Sequence, residues 1–320
     1  MKNSKEKNDF KNISGSLVIV DIGASGGLHP RWKKSNFPFT GILFEPDPRE
    51  YDNLKASLPD NYKVYNVALA AQEGEVDLHL CRKQMCSSIL PPNLPFLRLF
   101  PESERFDVLE MAKVQASSLD VVLANESYVD FIKIDAEASE LPILKGAEKT
   151  LKGVLGLEVE SAFCHMREGQ PVFHDVSKFL MEHDFTLYDI RSDYWQRKKT
   201  FPYSYQKGQI IWGDSLYFKS PEYIMQHFSN DSCLISRAIM LYLAYGYYDL
   251  SKTLLTYVEQ DSKLNMDIFN ALSKQVNKGI SKVQIPRFRG RYFLSKLFYT
   301  LAWKLRSSYS WSRSGFHLGN

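Results

Sequence analysis

Val18–Leu28 reads VIVDIGASGGL, an apolar run closed by Asp21 and followed by the small residues Gly23, Ala24, Ser25, Gly26 and Gly27. A short Val/Ile-rich run that ends in glycine predicts a buried strand leading into a tight turn. Small residues in that turn let the backbone come close to a ligand. In an open parallel sheet the ligand crevice lies beyond the carboxyl ends of the strands, so the turn after the first strand is where a nucleotide-like group docks. The next apolar run, GILFEP, ends at Glu45 and Pro46. An acid at that point can accept both hydroxyls of a ribose.

Outward from this pair the same alternation continues to Phe218. YKVYNVAL, VDFIKID, VLGLEVE, FTLYDI and QIIWGDSLYF read as further strands, about seven in all, most of them separated by amphipathic segments. That pattern predicts an α/β fold with a mostly parallel sheet and helical crossovers. EVDLHLC and the region of MAKVQASSLD predict a local antiparallel addition, and the intervening PPNLPF is too rich in proline for a helix or a central strand. After Pro221 the chain reads as helices meeting near Gly246 and Tyr247. The expected organisation is a polar N-terminal segment (1–15), an α/β domain (16–219), an α-helical C-terminal extension (220–280) and a basic amphipathic tail (281–320).

The chain has 320 residues, 44% hydrophobic and 24% charged, which places it with folded globular proteins rather than disordered or multi-pass membrane chains. MKNSKEKNDFKNISGS lacks the apolar run of about 7 to 15 residues that a signal peptide needs. Cys81, Cys86, Cys164 and Cys233 form no C-x-x-C pair, so reduced thiols and a cytoplasmic location are expected. The net charge of +3 is unevenly spread: Lys278 to Asn320 holds nine Lys and Arg and no acid, +9, leaving −6 for residues 1–277. In the tail Leu294, Leu297, Phe298, Leu301 and Leu305 share one helical face, with Lys296 and Lys304 beside it and Tyr299 and Trp303 nearby. One reading is an interfacial helix in peripheral contact with anionic lipid. The other is a terminal helix packed on the catalytic sheet or on a second subunit. Nucleic acid is not favoured, since a positive tail alone does not specify it, and the oligomeric state is open.

The glycine spacing separates two cofactor classes. A dinucleotide fingerprint starting at Gly23 needs glycine at 25 and 28, where Ser25 and Leu28 stand. The pattern D-x-G-x-x-x-G from Asp21 to Gly27 instead suits S-adenosyl-L-methionine, which carries no phosphate and has a cationic amino acid moiety.

The blocks VDIGASGGL, LFEPDP, YNVALAAQEGEVDL, SSLDVVL, VDFIKIDAEASELPILKGAEKTL and LGLEVES, in this order, resemble the FkbM family of S-adenosylmethionine-dependent methyltransferases over roughly Leu17 to Phe218. The resemblance implies the class I (Rossmann-like) methyltransferase sheet of seven strands, the last antiparallel, and O-methylation of a saccharide, glycolipid precursor or small metabolite. It maps Asp21, Gly23, Ala24, Ser25 and Gly27 onto the cofactor loop, Glu45 and Pro46 onto the ribose site, and Asn66 and Ala68 onto the adenine side. Asp135 and Glu137 match the acids of the KID-x-E block, with Asp135 near cofactor and substrate alike. This chain departs from the family at Ser25, usually Asn, and at Ala138, usually Gly, which narrows the space beside Glu137.

Methyl transfer to a hydroxyl is an in-line displacement aided by a base. The candidates are Asp135 and Glu137, then Glu160, then His165. Asp135 has an alternative duty, holding the cofactor or Lys133. The three carboxylates could also ligate magnesium, but neither H-E-x-x-H nor a D-x-D-x-D-G loop is present and no metal is expected. His29, just past the cofactor loop, could line the pocket, but a solvated turn is the favoured reading. Two other classes remain open from the residues: a non-catalytic binding module that keeps the fold, and a nicotinamide-dependent reductase, which the glycine spacing disfavours.

Overall fold

The computed structural model describes residues 15–34, 37–59, 62–198, 208–261, 266–283, 288–305 and 311–314. Residues 1–14, most of the polar N-terminal segment, lie outside the described residues. Strand β1 (Leu17–Ile22) is buried along nearly its whole length and lies in the middle of the sheet. Its neighbours, both parallel to it, are β2 (Phe39–Phe44) and, on the other side, a strand more than a hundred residues later in the chain. A strand buried on both faces tolerates an unbroken Val/Ile run, which is why the sequence here does not alternate.

Beyond β2 come β3 (Lys63–Tyr65), β4 (Ala68–Leu69), β5 (Gly74–Cys81), β6 (Val108–Ser117), β7 (Phe131–Ile134), β8 (Gly156–Ala162), β9 (Thr186–Trp195), β10 (Gln209–Phe218) and β11 (Ser312–Ser314). The main sheet runs β3-β2-β1-β7-β8-β10-β9, with β10 antiparallel to both its neighbours. This is the seven-stranded class I methyltransferase order, with its antiparallel strand inserted next to last. β4, β6 and β5 form a separate small sheet in the connection from β3 to β7, and β5 and β6 pair antiparallel.

The helices are α1 (Pro30–Lys34), α2 (Pro48–Ser57), α3 (Leu94–Leu97), α4 (Leu119–Val122), α5 (Glu140–Lys145), α6 (Phe173–Glu182), α7 (Pro221–Phe228), α8 (Ser232–Tyr245), α9 (Tyr248–Asp261), α10 (Met266–Val283) and α11 (Arg291–Leu305). The proline-rich PPNLPF yields the single turn α3, contrary to expectation. Asn93 caps it by accepting from the Phe96 amide, and Pro95 falls in the first turn, where a missing N–H breaks no helical bond.

Side chains of the central strands alternate between two cores. Val20, Ile22, Ile132, Ile134, Leu157 and Val159 face α4, α5 and α6. Leu17, Ile19, Phe131, Leu216 and Phe218 face α1, α2 and the helices after Pro221. The expected helical appendage is therefore the second covering layer of the sheet and shares its core. Ring centroids of Tyr245 on α8 lie 5.2 Å from Phe131, 5.6 Å from Phe218 and 5.9 Å from Trp32. Buried Arg237 of α8 pairs with Asp130 at 2.8 Å, and Asp130 also accepts from the Val18 amide, tying the helix to the start of β1. Asp231 caps α8, and Gly246, at φ +81°, ends it in the left-handed conformation that glycine adopts freely.

The basic tail divides in two. The described side chains of α11, Arg291 to Ala302, are exposed, among them Leu294, Leu297, Phe298 and Leu301, so packing on the catalytic sheet is not what this helix does here. β11, by contrast, returns to the sheet and pairs antiparallel with the outer edge of β9, its Trp311 neighbour meeting Trp195 edge-on at 5.3 Å. No helix among the described residues is long and apolar enough to cross a membrane.

Candidate active site

A crevice of about 510 Å³ opens between the carboxyl ends of β1, β2, β7 and β8 and the small sheet above them. At its base β1 and β7 cross closely. A Cβ on Gly23 would lie 1.9 Å from the Asp135 carbonyl oxygen, and Gly23 sits at φ +76°, so glycine is required by chain packing before any ligand is considered. The amides of Gly23 and Ala24 donate to the Phe44 carbonyl, fixing the turn against β2.

Of the loop residues expected to hold the cofactor, Gly23 and Ser25 line the crevice. Ala24, Gly27 and Asp21 do not. Ala24 is buried in the core, and Gly27 donates to the Ala24 carbonyl while facing Leu54 and Leu58. Asp21 lies beneath the floor, 2% exposed, its Oδ1 3.8 Å from Lys133 Nζ and without a hydrogen bond among the described residues. Burial pushes its carboxyl up to about 7, against the pull of Lys133. Burial also disfavours the Lys133 ammonium, yet Asp135 and Asp21 together hold it above its usual range. Asp21 thus acts through Lys133.

The end of the second strand also reaches the crevice. Glu45 and Pro46 line the crevice; Glu45 is 7% exposed, and among the described residues its side chain accepts only from the Asp47 amide, at 2.9 Å through Oε1. Burial pushes its carboxyl up to about 7. Ala68 lines the apolar wall with Val67 and Leu69. Asn66 does not: its amide donates to the carbonyls of Glu45 and Pro46, at 2.9 and 3.1 Å, and so sets the loop that carries the acid.

Three of the four base candidates line the crevice. Asp135 is held by Lys133 at 3.0 Å. Glu137 forms a 2.6 Å pair with buried Arg167, and burial outweighs that arginine in raising its pKa. Glu160 forms no ion pair among the described residues; burial, then the carboxylates of Asp135, Glu137 and Asp214, push it well above its ordinary range. His165 is exposed and stands off the crevice. Glu137 and Ala138 both take positive φ, +50° and +89°. Ala138, 3% exposed, lines the crevice beside Glu137 and also holds a backbone conformation that a side chain rarely adopts. Glu140 stabilises this turn by accepting from the Ala136 and Ala138 amides, at 3.2 and 3.0 Å.

Sequence reasoning missed much of the other half of the crevice. Glu158 shares its face with Glu160, pairs with Arg31 at 3.3 Å and accepts from the Tyr245 hydroxyl at 2.8 Å. Two acids at i and i+2 in an otherwise apolar strand were the available signal. Asp214 lies directly across from Glu160 on β10, and Arg191 across from Asp214 on β9. That row exists only once the register is known. His29 is exposed and also lines the crevice, where partial burial lowers its pKa.

A nucleotide-type crevice at the carboxyl ends of a 3-2-1-4-5-7-6 sheet, with an acid closing the second strand, defines a class I methyltransferase fold. Residues 25–187, 163 of 320 and so just over half of the chain, match the family described as Methyltransferase FkbM domain, and the chain belongs to that family. Among curated proteins it is similar to Methyltransferase sdnD of Sordaria araneosa, 29% identical over 168 residues, covering 44% of this chain and 64% of that protein. The chain thus spans somewhat less than two thirds of that relative's length. Among solved structures it is similar to precorrin-6y C5,15-methyltransferase from Geobacter metallireducens GS-15 (TM-score 0.34, 14% identity, 68% of this chain and 86% of the other). A second is a TehB-like SAM-dependent methyltransferase from Corynebacterium glutamicum ATCC 13032 Kitasato (TM-score 0.32, 10% identity, 68% and 87%). The strand order, not these weak likenesses, places the fold.

The cofactor of this family is S-adenosylmethionine, and the donor set fits its adenosyl half. A buried carboxylate with one oxygen engaged by the protein, beside the apolar Val67–Leu69 wall, suits a ribose diol and an adenine ring.

Proposed function

We propose that the protein transfers the methyl group of S-adenosylmethionine to a hydroxyl oxygen, with Glu160 as the base. The observation that supports this is the pairing pattern: Asp135 and Glu137 are neutralised by Lys133 and Arg167, whereas Glu160 faces the same crevice and forms no ion pair among the described residues. When bound, the cofactor supplies a sulfonium-activated methyl group. Glu45 holds the ribose, Asn66 fixes the loop that carries Glu45, and Gly23 and Ser25 border the remainder. Glu160 takes the hydroxyl proton as the acceptor oxygen becomes nucleophilic. A carboxylate with raised proton affinity is the stronger base once ionised.

Glu45→Ala is expected to abolish S-adenosylhomocysteine binding by calorimetry. Glu160→Gln should keep that affinity and lower single-turnover methyl transfer about 10² to 10⁴-fold. Retained activity in Glu160→Gln would remove the base assignment. Acceptors of the saccharide, glycolipid-precursor or small-metabolite kind are part of the proposal, to be identified by mass gain from labelled cofactor.

For location we propose peripheral contact of α11 with an anionic membrane. Its exposed apolar stripe lies in a segment that carries +9 and no acid, which is complementary to anionic headgroups. Six peptide steps separate Leu305 from Trp311 and span at most about 20 Å. Lipid binding by α11 would therefore keep the β11 side of the crevice close to the membrane surface.

A further inference from the structure

Most of the cations that line the crevice are each matched by a carboxylate, and Arg105 is not. Arg31 is answered by Glu158, Arg191 by Asp214, Lys133 by Asp135 and Arg167 by Glu137. Arg105 lines the same crevice and has no ion-pair or hydrogen-bonding partner for its guanidinium among the described residues, although its Nε is buried. Three rings surround it instead: Trp195, Phe106 and Trp311 lie 4.7, 4.8 and 4.9 Å from its central carbon. Trp311 reaches this place because β11 pairs with β9.

Arg167 is 2% exposed. Its Nη2 donates to Glu137 Oε2 at 2.6 Å and to the Cys86 carbonyl at 2.7 Å, while its buried Nη1 has no acceptor among the described residues. Both guanidinium groups act electrostatically on the carboxylate of Glu137. Buried guanidinium nitrogens without acceptors are costly, and the ligand that relieves them is an oxyanion, which a planar fork grips through two parallel hydrogen bonds. Aromatic walls strengthen the arrangement by excluding water.

We propose that Arg105, boxed by Phe106, Trp195 and Trp311, together with Nη1 of Arg167, forms an oxyanion subsite that anchors a phosphate or carboxylate of the methyl acceptor. The proposal rests on the methyl-transfer reading and narrows its acceptor class from hydroxyl compounds in general to anionic ones.

The test uses the full chain, with and without saturating S-adenosylhomocysteine, and three probes in calorimetric titrations: glucose 1-phosphate, glucuronate and methyl glucoside. At least one anionic probe is expected to bind ten-fold or more tightly than the neutral glucoside, and the tighter of the two names phosphate or carboxylate. Arg105→Gln should weaken that anion at least ten-fold and leave S-adenosylhomocysteine affinity unchanged. Arg105→Lys, which keeps the charge and loses the fork, should fold if the glutamine variant does not, and should weaken the anion several-fold. Equal binding of neutral and anionic probes, or equal anion binding by wild type and both variants, overturns the subsite. So does loss of S-adenosylhomocysteine affinity in Arg105→Lys, which would assign the arginine to the cofactor. If S-adenosylhomocysteine fails to bind the unaltered chain while the anion is still held by Arg105, the methyl-transfer reading fails and the subsite stands.

Discussion

Ala138 holds a φ of +89°, a conformation that an L side chain rarely takes. The Glu140 carboxylate bridges the Ala136 and Ala138 amides and keeps the turn in place. Ala138→Gly is expected to stabilise the chain by about 1 kcal/mol, read as a higher urea midpoint at unchanged slope. An unchanged or lower midpoint would show that the turn carries no such strain. At Glu160 the electrostatics predict the pH dependence of catalysis. Burial and the facing carboxylates favour its protonated form, and a base must be ionised. Single-turnover rate should therefore climb with pH through a range above that of ordinary carboxylates, and the climb should vanish in Glu160→Gln. Of the residues singled out from sequence, Glu45, Pro46, Gly23, Ser25, Ala68, Asp135, Glu137 and Glu160 border the crevice. Asp21 and Asn66 stand one contact behind it, because residue type alone does not say which way a side chain is held.

The elements after Phe218 differ most from expectation. A Leu-, Ile- and Tyr-rich segment reads as helix from its periodicity, but nothing local says what it covers. In the structure α8 closes one face of the sheet, and its Tyr245 hydroxyl holds Glu158 at the crevice floor. The tail likewise contains two elements with different duties. Cutting the chain before α11 would also remove β11 and Trp311 from the crevice wall, so lipid contact needs substitutions within the helix. Replacing Leu297 and Leu301 with glutamate should abolish sedimentation with phosphatidylcholine–phosphatidylglycerol vesicles and leave S-adenosylhomocysteine affinity unchanged. Wild-type sedimentation should weaken with added salt. A wild-type chain that stays in the supernatant at low salt would sink the membrane proposal.

Across the whole molecule, the site concentrates carboxyl groups that folding makes harder to ionise. Asp21, Glu45 and Glu140 are each pushed to about 7 and Asp214 to about 6, mainly by burial, from ordinary values of 3.8 to 4.5. Between about pH 4 and 7 the folded chain therefore holds more protons than the unfolded chain, and stability falls as pH rises through that window. The ligand-free protein should melt several degrees lower at pH 8 than at pH 5.5, and Glu45→Gln should reduce the difference. A melting temperature that rises over this range would contradict the burial assigned to these groups.

Short stretches of residues were enough to predict the sheet, the crevice at its carboxyl ends and the family. Those rest on local signals: Val/Ile runs that must be buried, glycines where two strands cross closely, and an acid closing the second strand. The folded arrangement was needed to see which base candidate has no ion pair among the described residues, that the C-terminal helices are a core layer, and that Arg105 and Trp311, 206 positions apart, meet at one wall. The reason is physical. Charge pairing and layer packing depend on strand register and on distances between segments far apart in the chain, neither of which is written in any short stretch of residues.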